Sequence, residues 1–334
     1  MKKGIILLFI VFCLAEIDQP DIVTKEATAA FNWLKIETGI RAIGMGGAQV
    51  AAAEGVAGVP FNPASIGHVK SSDAYVSKSN YLAGITHNVL AFGRKVTPGD
   101  FISFHLFYLD SGPMRETTVA ESDGTGEMFK VLDIASSFTY ARKMTDRLHL
   151  GVTLKYIMEQ IKYSKAQSVA IDIGSIFNTG LWGMTLGMAV TNFGPEVRYH
   201  GEDLEFLSDE EHEDNWEKVT VKWPIPLTFR MGVKTDVIGK DSFYRKDDVH
   251  RLTLAFDGMD PVDNLTMGSV GAEYAWKESI YLRSGFHIGH DTAGGAFGAG
   301  VNIDLKSVKL ILDYAFVDYD ILDFTHQFGL NFKF

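Results

Sequence analysis

Charged side chains recur at alternate positions within otherwise apolar segments in the second half of the chain. The set comprises Arg230, Lys234, Arg251, Asp257, Glu273, Arg283, Asp304 and Asp313. Residues two apart lie on one face of a β-strand, so these acids and bases would share a face. Their mixed signs favour a network of internal salt bridges, and a path that selects ions is the weaker alternative.

A second group of candidate ligands is an acidic stretch between residues 202 and 217. Its acids are Glu202, Asp203, Glu205, Asp209, Glu210, Glu211, Glu213, Asp214 and Glu217. Several carboxylates can hold calcium or a cationic partner, but a charge run of this kind is more often a solvated loop. The interspersed aromatic residues favour contact with a partner. Asp257, Asp260 and Asp263 form a weaker candidate for a metal site.

Catalytic chemistry is not indicated. His149 and His287 fall on the same face as the charged set, yet no serine–histidine–acid grouping accompanies them. The glycine-rich residues 41–47 lack the preceding strand and the lysine of a phosphate-binding loop. The net charge of −11 disfavours nucleic acid. We therefore predict a protein that is not an enzyme, with no catalytic residue, no metal, no cofactor and no nucleic-acid partner.

The elements that would position the charged set are strands. From residue 74 onward, the chain divides into segments of about ten residues in which apolar and polar side chains alternate. A tilted strand needs about this many residues to cross a bilayer. In the clearest segment Leu150, Val152 and Leu154 oppose Thr153 and Lys155. About fourteen such segments predict an all-β fold over residues 73–334, a transmembrane antiparallel β-barrel in which the charged set faces the lumen.

The connections between these segments point the same way. Short turns, such as residues 97–100, 145–147 and 277–279, fall at every second connection, while residues 110–130 and 192–223 form long connections between them. Short turns at one end and long loops at the other are typical of outer-membrane barrels. Residues 237–248 are an exception, because they are long and charged on the short side.

The N-terminal region reads differently. Residues 1–15 predict a signal peptide, with a basic start and an apolar run too short to span a bilayer. Within the N-terminal segment, residues 16–72, the irregular stretch 39–67 is rich in glycine and alanine and carries apolar residues that require burial, which favours a plug or hatch in the lumen over a flexible linker. Arg41 would pair with a lumen carboxylate.

The last strand would close the barrel. Phe328, Leu330, Phe332 and Phe334 alternate with polar residues and are predicted to face lipid. On the same logic, Val152→Arg would place a charge in lipid and abolish assembly, whereas Lys155→Ala on the lumen face would be tolerated.

Several motifs resemble the PorV/PorQ family of FadL-like outer-membrane barrels. The N-terminal stretches are FNWLKI at 31–36, GIRAIGMGGA at 39–48 and FNPAS at 61–65, and the later stretches are PIPLTFRMGV at 224–233, RLTLAFD at 251–257, FGAG at 297–300 and DYA at 313–315. The resemblance implies a barrel of 14 strands with a hatch in its lumen. The hatch residues that it implies are Arg41, Gly44, Met45, Gly46, Gly47, Asn62, Pro63 and Ala64.

The resemblance also sets the functional expectations. PorV-like relatives receive exported proteins by their C-terminal signal domains in type IX secretion, which is our first expectation, or the chain serves as a subunit of an envelope complex. The alternative is a FadL-like channel for hydrophobic small molecules. Either role implies the outer membrane of a diderm bacterium, with membrane lipid and the barrel-assembly machinery as partners.

Overall fold

A computed structural model describes residues 25–201, 204–206, 216–217, 220–306 and 308–334. Within these residues fourteen long strands form one sheet, as the sequence predicts. They are β1 (Ser72–Asn80), β2 (Thr86–Lys95), β3 (Asp100–Asp110), β4 (Val131–Lys143), β5 (Leu148–Ile161), β6 (Ser164–Asn178), β7 (Met184–Phe193), β8 (Thr228–Gly239), β9 (His250–Pro261), β10 (Met267–Trp276), β11 (Ile280–Ile288), β12 (Gly295–Leu305), β13 (Val308–Asp318) and β14 (Phe324–Lys333).

Each long strand pairs antiparallel with its neighbours in the chain, and the first strand pairs with the last. The closing ladder of β1 and β14 runs from Asp73 opposite Lys333 to Asn80 opposite His326. Closure satisfies the edge hydrogen bonds that lipid could not satisfy. The chain therefore folds as an outer-membrane type β-barrel, and the predicted fold class is confirmed.

The two ends of the barrel differ in their connections. The turn end carries short connections, for example Lys95 to Asp100 and Trp276 to Ile280, and both the start of β1 and Phe334 lie there. The loop end carries residues 111–130 and 194–227. Outer-membrane barrels place short turns in the periplasm and long loops outside, which orients this barrel in the membrane. Residues 240–249 are the long connection of the turn end.

Side chains alternate between the lipid face and the lumen. On β5, Val152 and Leu154 are 47% and 58% exposed, whereas Thr153 between them is completely buried. Phe328 and Leu330 of the closing strand point outward, with Phe332 half-buried and Phe334 exposed beyond the strand. Among the described residues no helix has the length and apolar character that a membrane span requires.

The faces of β1 and β2 do not follow from sequence periodicity, and the structure assigns them. On β1, Tyr75 and Ser77 point into the lumen and are buried, while Val76 is 42% exposed. The outward face of β1 carries the polar residues Lys78 and Asn80, while Tyr75 points inward, so the strand lacks the apolar outer stripe that a periodicity argument detects.

The N-terminal segment fills the lumen. It comprises a 3₁₀ turn at Asn32–Lys35, the one-turn helix α1 at Ile40–Gly44, and 3₁₀ turns at Val56–Gly58 and Pro63–His68. We call residues 39–67 the plug. Its apolar side chains, among them Ile40, Ile43 and Ile66, are buried against the barrel wall and form the main core of the molecule.

Glycines on the inner barrel wall let the plug approach so closely. A side chain on Gly285 of β11 would collide with the backbone of Met45 and Gly46, and one on Gly271 of β10 would lie 2.5 Å from the Met45 carbonyl oxygen. A side chain on Gly151 of β5 would likewise collide with the Pro63 backbone. The plug is therefore held by backbone packing on strands far apart around the barrel.

Candidate functional site

The hatch residues of the plug contact strands on opposite sides of the barrel. Gly44 packs on Gly298 of β12, and the backbone of Gly46 packs on Gly285 of β11. Met45 between them is completely buried. Gly47 adopts a positive φ of 79°, a conformation that favours glycine.

Asn62 binds the other side of the barrel. Its side-chain amide donates to the carbonyl oxygens of Val50 in the plug and Ser175 in β6, each at 2.9 Å. Its side-chain oxygen accepts from the Ala64 backbone N–H at 3.1 Å, which caps the turn that Pro63 begins. One buried amide thus ties the plug to itself and to the wall.

A charge network joins the plug to the barrel at the turn end. Arg41 of the plug and Arg283 of β11 each place a guanidinium nitrogen 2.8 Å from Glu273 of β10, and Arg251 of β9 lies 2.9 Å from it. Arg283 also pairs with Asp313 of β13 at 2.6 Å. Glu273 is 1% exposed, so three arginines share one buried carboxylate.

The predicted charge set therefore divides into two groups. Arg251, Glu273, Arg283 and Asp313 meet as one network, which also recruits Arg41 and the exposed Glu278. The other four predicted residues lie outside this network and have separate surroundings.

These four residues have different partners. Lys234 pairs with Glu54 of the plug at 3.2 Å, as an ion pair that holds the plug would. Asp257 accepts the backbone N–H groups of Gln49 and Val50, each at 2.6 Å. Asp304 lies at the rim of the turn end, is 65% exposed and is 4.0 Å from Lys309, because parity defines its face but not its depth. Arg230 has no described carboxylate within 4.0 Å.

A second ionic cluster lies on the opposite wall and was not identified from the sequence as such. Lys155 of β5 pairs with Asp172 of β6 at 2.8 Å and donates to the Asn192 side chain at 2.8 Å. Asp172 is completely buried and accepts the Asn192 backbone N–H at 2.7 Å. Asn192 has φ 62° at a break in the β6–β7 register. Lys155 is thus the counterion of a buried carboxylate, and these contacts predict that its removal destabilises the barrel, contrary to the sequence-based expectation.

Aromatic rings cross the lumen at the loop end. Trp33 stacks on Phe107 of β3 with centroids 5.4 Å apart, and Phe107 stacks on His87 of β2 at 5.5 Å. Tyr81 continues the row from His87 to Tyr319. The row covers the plug from the outside.

Glu159 anchors one end of this row. Its carboxylate accepts from the Trp33 indole at 3.0 Å and from the Tyr199 hydroxyl at 2.5 Å. Tyr199 belongs to the long loop that follows β7. One carboxylate therefore links the N-terminal segment in the lumen to a surface loop.

The plug separates the cavities of the lumen. A cavity of about 510 Å³ opens at the turn end, and its lining includes Arg41, Glu54 and Glu273. At the loop end two smaller cavities of about 60 and 70 Å³ lie between the plug, the wall and the segment that carries Trp33. Arg230 lines both small cavities.

A fourth cavity lies outside the lumen. It is an open groove of about 470 Å³ among the surface loops, and its lining includes Phe129, Ile161, Tyr199 and Leu204. The Tyr199 side chain separates this groove from Glu159 and Trp33.

Two carboxylates of the N-terminal segment, Glu54 in the plug and Glu37 just before it, have pKa values below the usual range. Burial raises the pKa of Glu54, but Lys234 and Arg41 lower it by more, and the net pKa lies well below the usual value. Burial also raises the pKa of Glu37, and His287 together with Arg230 brings it below the usual value. Both carboxylates are therefore ionised at neutral pH.

The remaining sequence candidates give no assembled site. Asp263 pairs with Lys35 at 2.8 Å, and Asp260 accepts from Thr266 at 2.7 Å, so these two aspartates serve separate contacts. In the part of the chain that the structure describes, no three His, Cys, Asp or Glu side chains converge on a point where a metal could bind. The signal peptide, residues 1–15, and most of the acidic stretch 202–217 lie outside the described residues.

Comparison with known proteins shows the fold. The monoaromatic hydrocarbon channel CymD is 11% identical, with a TM-score of 0.55 over 91% of this chain and 97% of that chain. The Pseudomonas putida toluene transporter TodX is 9% identical, with a TM-score of 0.55 over 89% and 97%. A Pseudomonas aeruginosa FadL homologue is 12% identical, with a TM-score of 0.52 over 88% and 97%. The FadL-like fold is thereby confirmed.

No family model and no curated protein matches the chain. The finer PorV/PorQ assignment therefore remains a prediction from the motifs.

Proposed function

We propose that this outer-membrane barrel is a channel for hydrophobic small molecules. The FadL-like neighbours include channels and transporters for hydrocarbons, which supports the alternative expectation over the first one. The proposal assigns the protein no catalysis and no cofactor, and it names membrane lipid and the barrel-assembly machinery as its partners during insertion.

The observation that carries this proposal is the apolar groove at the loop end. Ile161, Phe129 and Leu204 line it, and it is large enough to hold a monocyclic hydrocarbon. An apolar solute in water would gain free energy by entering such a groove. The Tyr199–Glu159–Trp33 contacts then lead from the groove to the cavities above the plug.

The closed lumen assigns the plug a gating role in this proposal. Among the described residues the two cavities above the plug are separate from the turn-end cavity, so a solute would pass only if part of residues 29–67 moved. Such a movement would break the packing of the plug backbone on wall glycines and the Glu159 contacts with Trp33 and Tyr199.

The handling of exported proteins was the first expectation, and it depended on the acidic loop as the partner surface. Most of that loop lies outside the described residues. No observation on the described residues favours a protein cargo with C-terminal signal domains, so that role is not proposed.

Uptake measured in cells tests the proposal. Cells that lack the protein should take up labelled toluene more slowly than cells that express it, while their surface and secreted proteins stay unchanged. The opposite pattern, normal uptake with altered protein export, would refute the channel and restore the first expectation.

A matched pair of variants locates the effect. Ile161→Lys puts a charge into the groove and should slow uptake towards the level of cells without the protein. Val119→Lys adds the same charge to a fully exposed loop position that does not line the groove and should leave uptake unchanged.

A further inference from the structure

We propose that the loop-end cavities recognise a hydrophobic molecule by an oxygen acceptor that it carries, and that Arg230 binds that oxygen. This inference rests on the proposed channel and narrows its substrates to oxygenated hydrophobic molecules, either neutral carbonyl compounds or carboxylates. Unsubstituted hydrocarbons would bind more weakly than these molecules, through apolar contacts alone.

Arg230 has unused hydrogen-bonding capacity. Its Nε atom is buried and has no partner, and its guanidinium makes no ion pair within 4.0 Å in the described part of the chain. It instead lies over the Phe61 ring, 5.4 Å from the centroid. A guanidinium carries five N–H donors, and a buried donor without an acceptor is costly. A ligand oxygen would remove that cost.

The carboxylates near Arg230 are engaged by other donors. Asp257 accepts two plug N–H groups at 2.6 Å through its Oδ2 atom, and its Oδ1 atom is buried without a hydrogen bond in the described residues. Asp172 pairs with Lys155 at 2.8 Å, and Glu37 lies 3.3 Å from the His287 ring nitrogen. These acids balance the charge of Arg230 from a distance without accepting its hydrogen bonds. The Arg230 guanidinium therefore lacks an acceptor for its N–H groups. Because the nearby acids already balance its charge, that acceptor can belong to a neutral group.

Other polar groups at the cavity of about 60 Å³ also lack partners. The Thr38 hydroxyl oxygen is buried with no hydrogen bond. The ring nitrogens of His105, on the wall beside it, make no hydrogen bond to any described residue. Three groups without partners therefore face one space, which indicates a place for a polar group of a ligand.

The opposite side of the same cavity is apolar. Trp33, Leu34, Ile36, Val59 and Phe107 line it. A molecule with one oxygenated end and a hydrophobic body matches both sides at once. Lys35 and Ile36 lie between this cavity and the cavity of about 70 Å³, and Arg230 lines both cavities. A small shift of residues 35–36 would therefore enlarge the site around the Arg230 guanidinium.

Binding to the purified full-length protein in detergent tests the inference with three ligands of similar size. Toluene carries no acceptor, acetophenone carries a neutral one and benzoate carries an anionic one. Calorimetry measures the dissociation constant of each ligand. The better of the two oxygenated ligands should have a dissociation constant about tenfold to a hundredfold below that of toluene. Acetophenone and benzoate also distinguish a neutral from a charged substrate.

Arg230→Met removes the donors and keeps most of the side-chain volume. It should bring acetophenone and benzoate to the affinity of toluene while the affinity for toluene stays the same. The control is Arg142→Met, which removes an arginine that is 59% exposed on the outside of β4 near the turn end. It should not change the order of the three ligands.

Heat-modifiable migration on gels shows whether each variant has assembled. Where Arg230→Met does not assemble, Arg230→Lys replaces it and should weaken benzoate binding about tenfold without altering toluene binding. Equal affinities of the wild-type protein for all three ligands would overturn the inference and leave the channel proposal standing. A protein that neither binds nor takes up any of the three would refute the channel itself.

Discussion

The two faces of the plug differ in how completely their charges are paired. Towards the turn end, Arg41, Arg251 and Arg283 all converge on Glu273. Towards the loop end, Arg230 lies between two cavities with no acceptor in the described residues. A buried cation without a partner reduces stability, so its presence indicates a role other than stability.

This difference indicates that the plug has a fixed side and an adaptable side. The turn-end side is locked by ion pairs that connect four strands and the plug. The loop-end side is held by ring stacking, by the Lys35–Asp263 ion pair at 2.8 Å and by Glu159, which binds Trp33 and Tyr199.

The largest expected effect is at Glu273. Glu273→Ala would leave three arginines near one another without their common acceptor, and we expect a loss of about 5 kcal/mol in the free energy of unfolding. Urea unfolding of the detergent-solubilised protein measures it. Glu278→Ala is the control, because that partner of Arg251 is 57% exposed and its removal should cost at most about 1 kcal/mol. Equal effects of the two variants would show that the turn-end network does not lock the plug.

The next effect tests the ion pair between Lys155 and Asp172 on the barrel wall. Lys155→Ala would leave Asp172 buried without its counterion and should cost about 3 to 4 kcal/mol, measured by the same unfolding assay. The double variant Lys155→Met with Asp172→Leu should recover most of that loss, since it removes both charges together. If Lys155→Ala alone is neutral, the cluster is not a structural contact.

A lipid-facing charge provides the comparison outside the lumen. Val152, three positions before Lys155 in the chain, is 47% exposed on the outside of the barrel. Val152→Arg should cost about 2 to 4 kcal/mol of stability and reduce insertion. The yield of the heat-modifiable folded form in outer membranes measures it. Val152→Leu should insert normally, and normal insertion of the arginine variant would contradict the assigned faces.

Close packing of the plug on glycine gives a smaller effect. Gly285→Ala forces a methyl group onto the backbone of Met45 and Gly46, and overpacking of this kind costs about 1 to 3 kcal/mol. Single-channel recording should show frequent openings, because the plug is displaced. Gly258→Ala has no atom nearer than 3.9 Å to the added methyl and should conduct like the wild type.

The smallest effect is a pH dependence at the turn end. The pKa of Glu54 is below its unfolded value, so its stabilising contribution is present above about pH 4.3 and is lost as the pH falls through the folded-state pKa. The protection of plug amides near Glu54 from hydrogen exchange, relative to the intrinsic exchange rate at each pH, should therefore fall below about pH 4. Glu54→Gln should abolish this change. A wild-type plug whose protection is constant over this range would contradict the Lys234 contact.

Much of the fold follows from local sequence. Alternation places Val152 and Lys155 on opposite faces, because lipid requires apolar residues at every second position. Short turns mark one end of the barrel independently of this alternation. The weak periodicity of β1 limits this reasoning, since its outward face carries the polar residues Lys78 and Asn80. The irregular residues 39–67 were also predicted as a lumen plug on the same physical ground.

The contacts inside the lumen could not be read in the same way. Parity assigns a side chain to the inner face, but it does not give its depth or its neighbours around the ring. The Lys155–Asp172 pair depends on the register of β5 and β6, and the Glu159–Trp33 contact joins residues 126 positions apart. Ile161 in the surface groove and the Tyr199 contact likewise depend on how the long loop returns to the barrel.

The sequence by itself therefore determined a closed barrel, its inner and outer faces and the presence of a plug, because period-2 alternation and loop length are local properties. Only the tertiary structure decided which charges meet, because strand register and the path of the plug are set by packing between distant segments. Arg230 illustrates the limit. Its face was predictable from parity. The absence of a hydrogen-bond acceptor beside it among the described residues depends on the plug N–H groups that bind Asp257 and on His287, which binds Glu37.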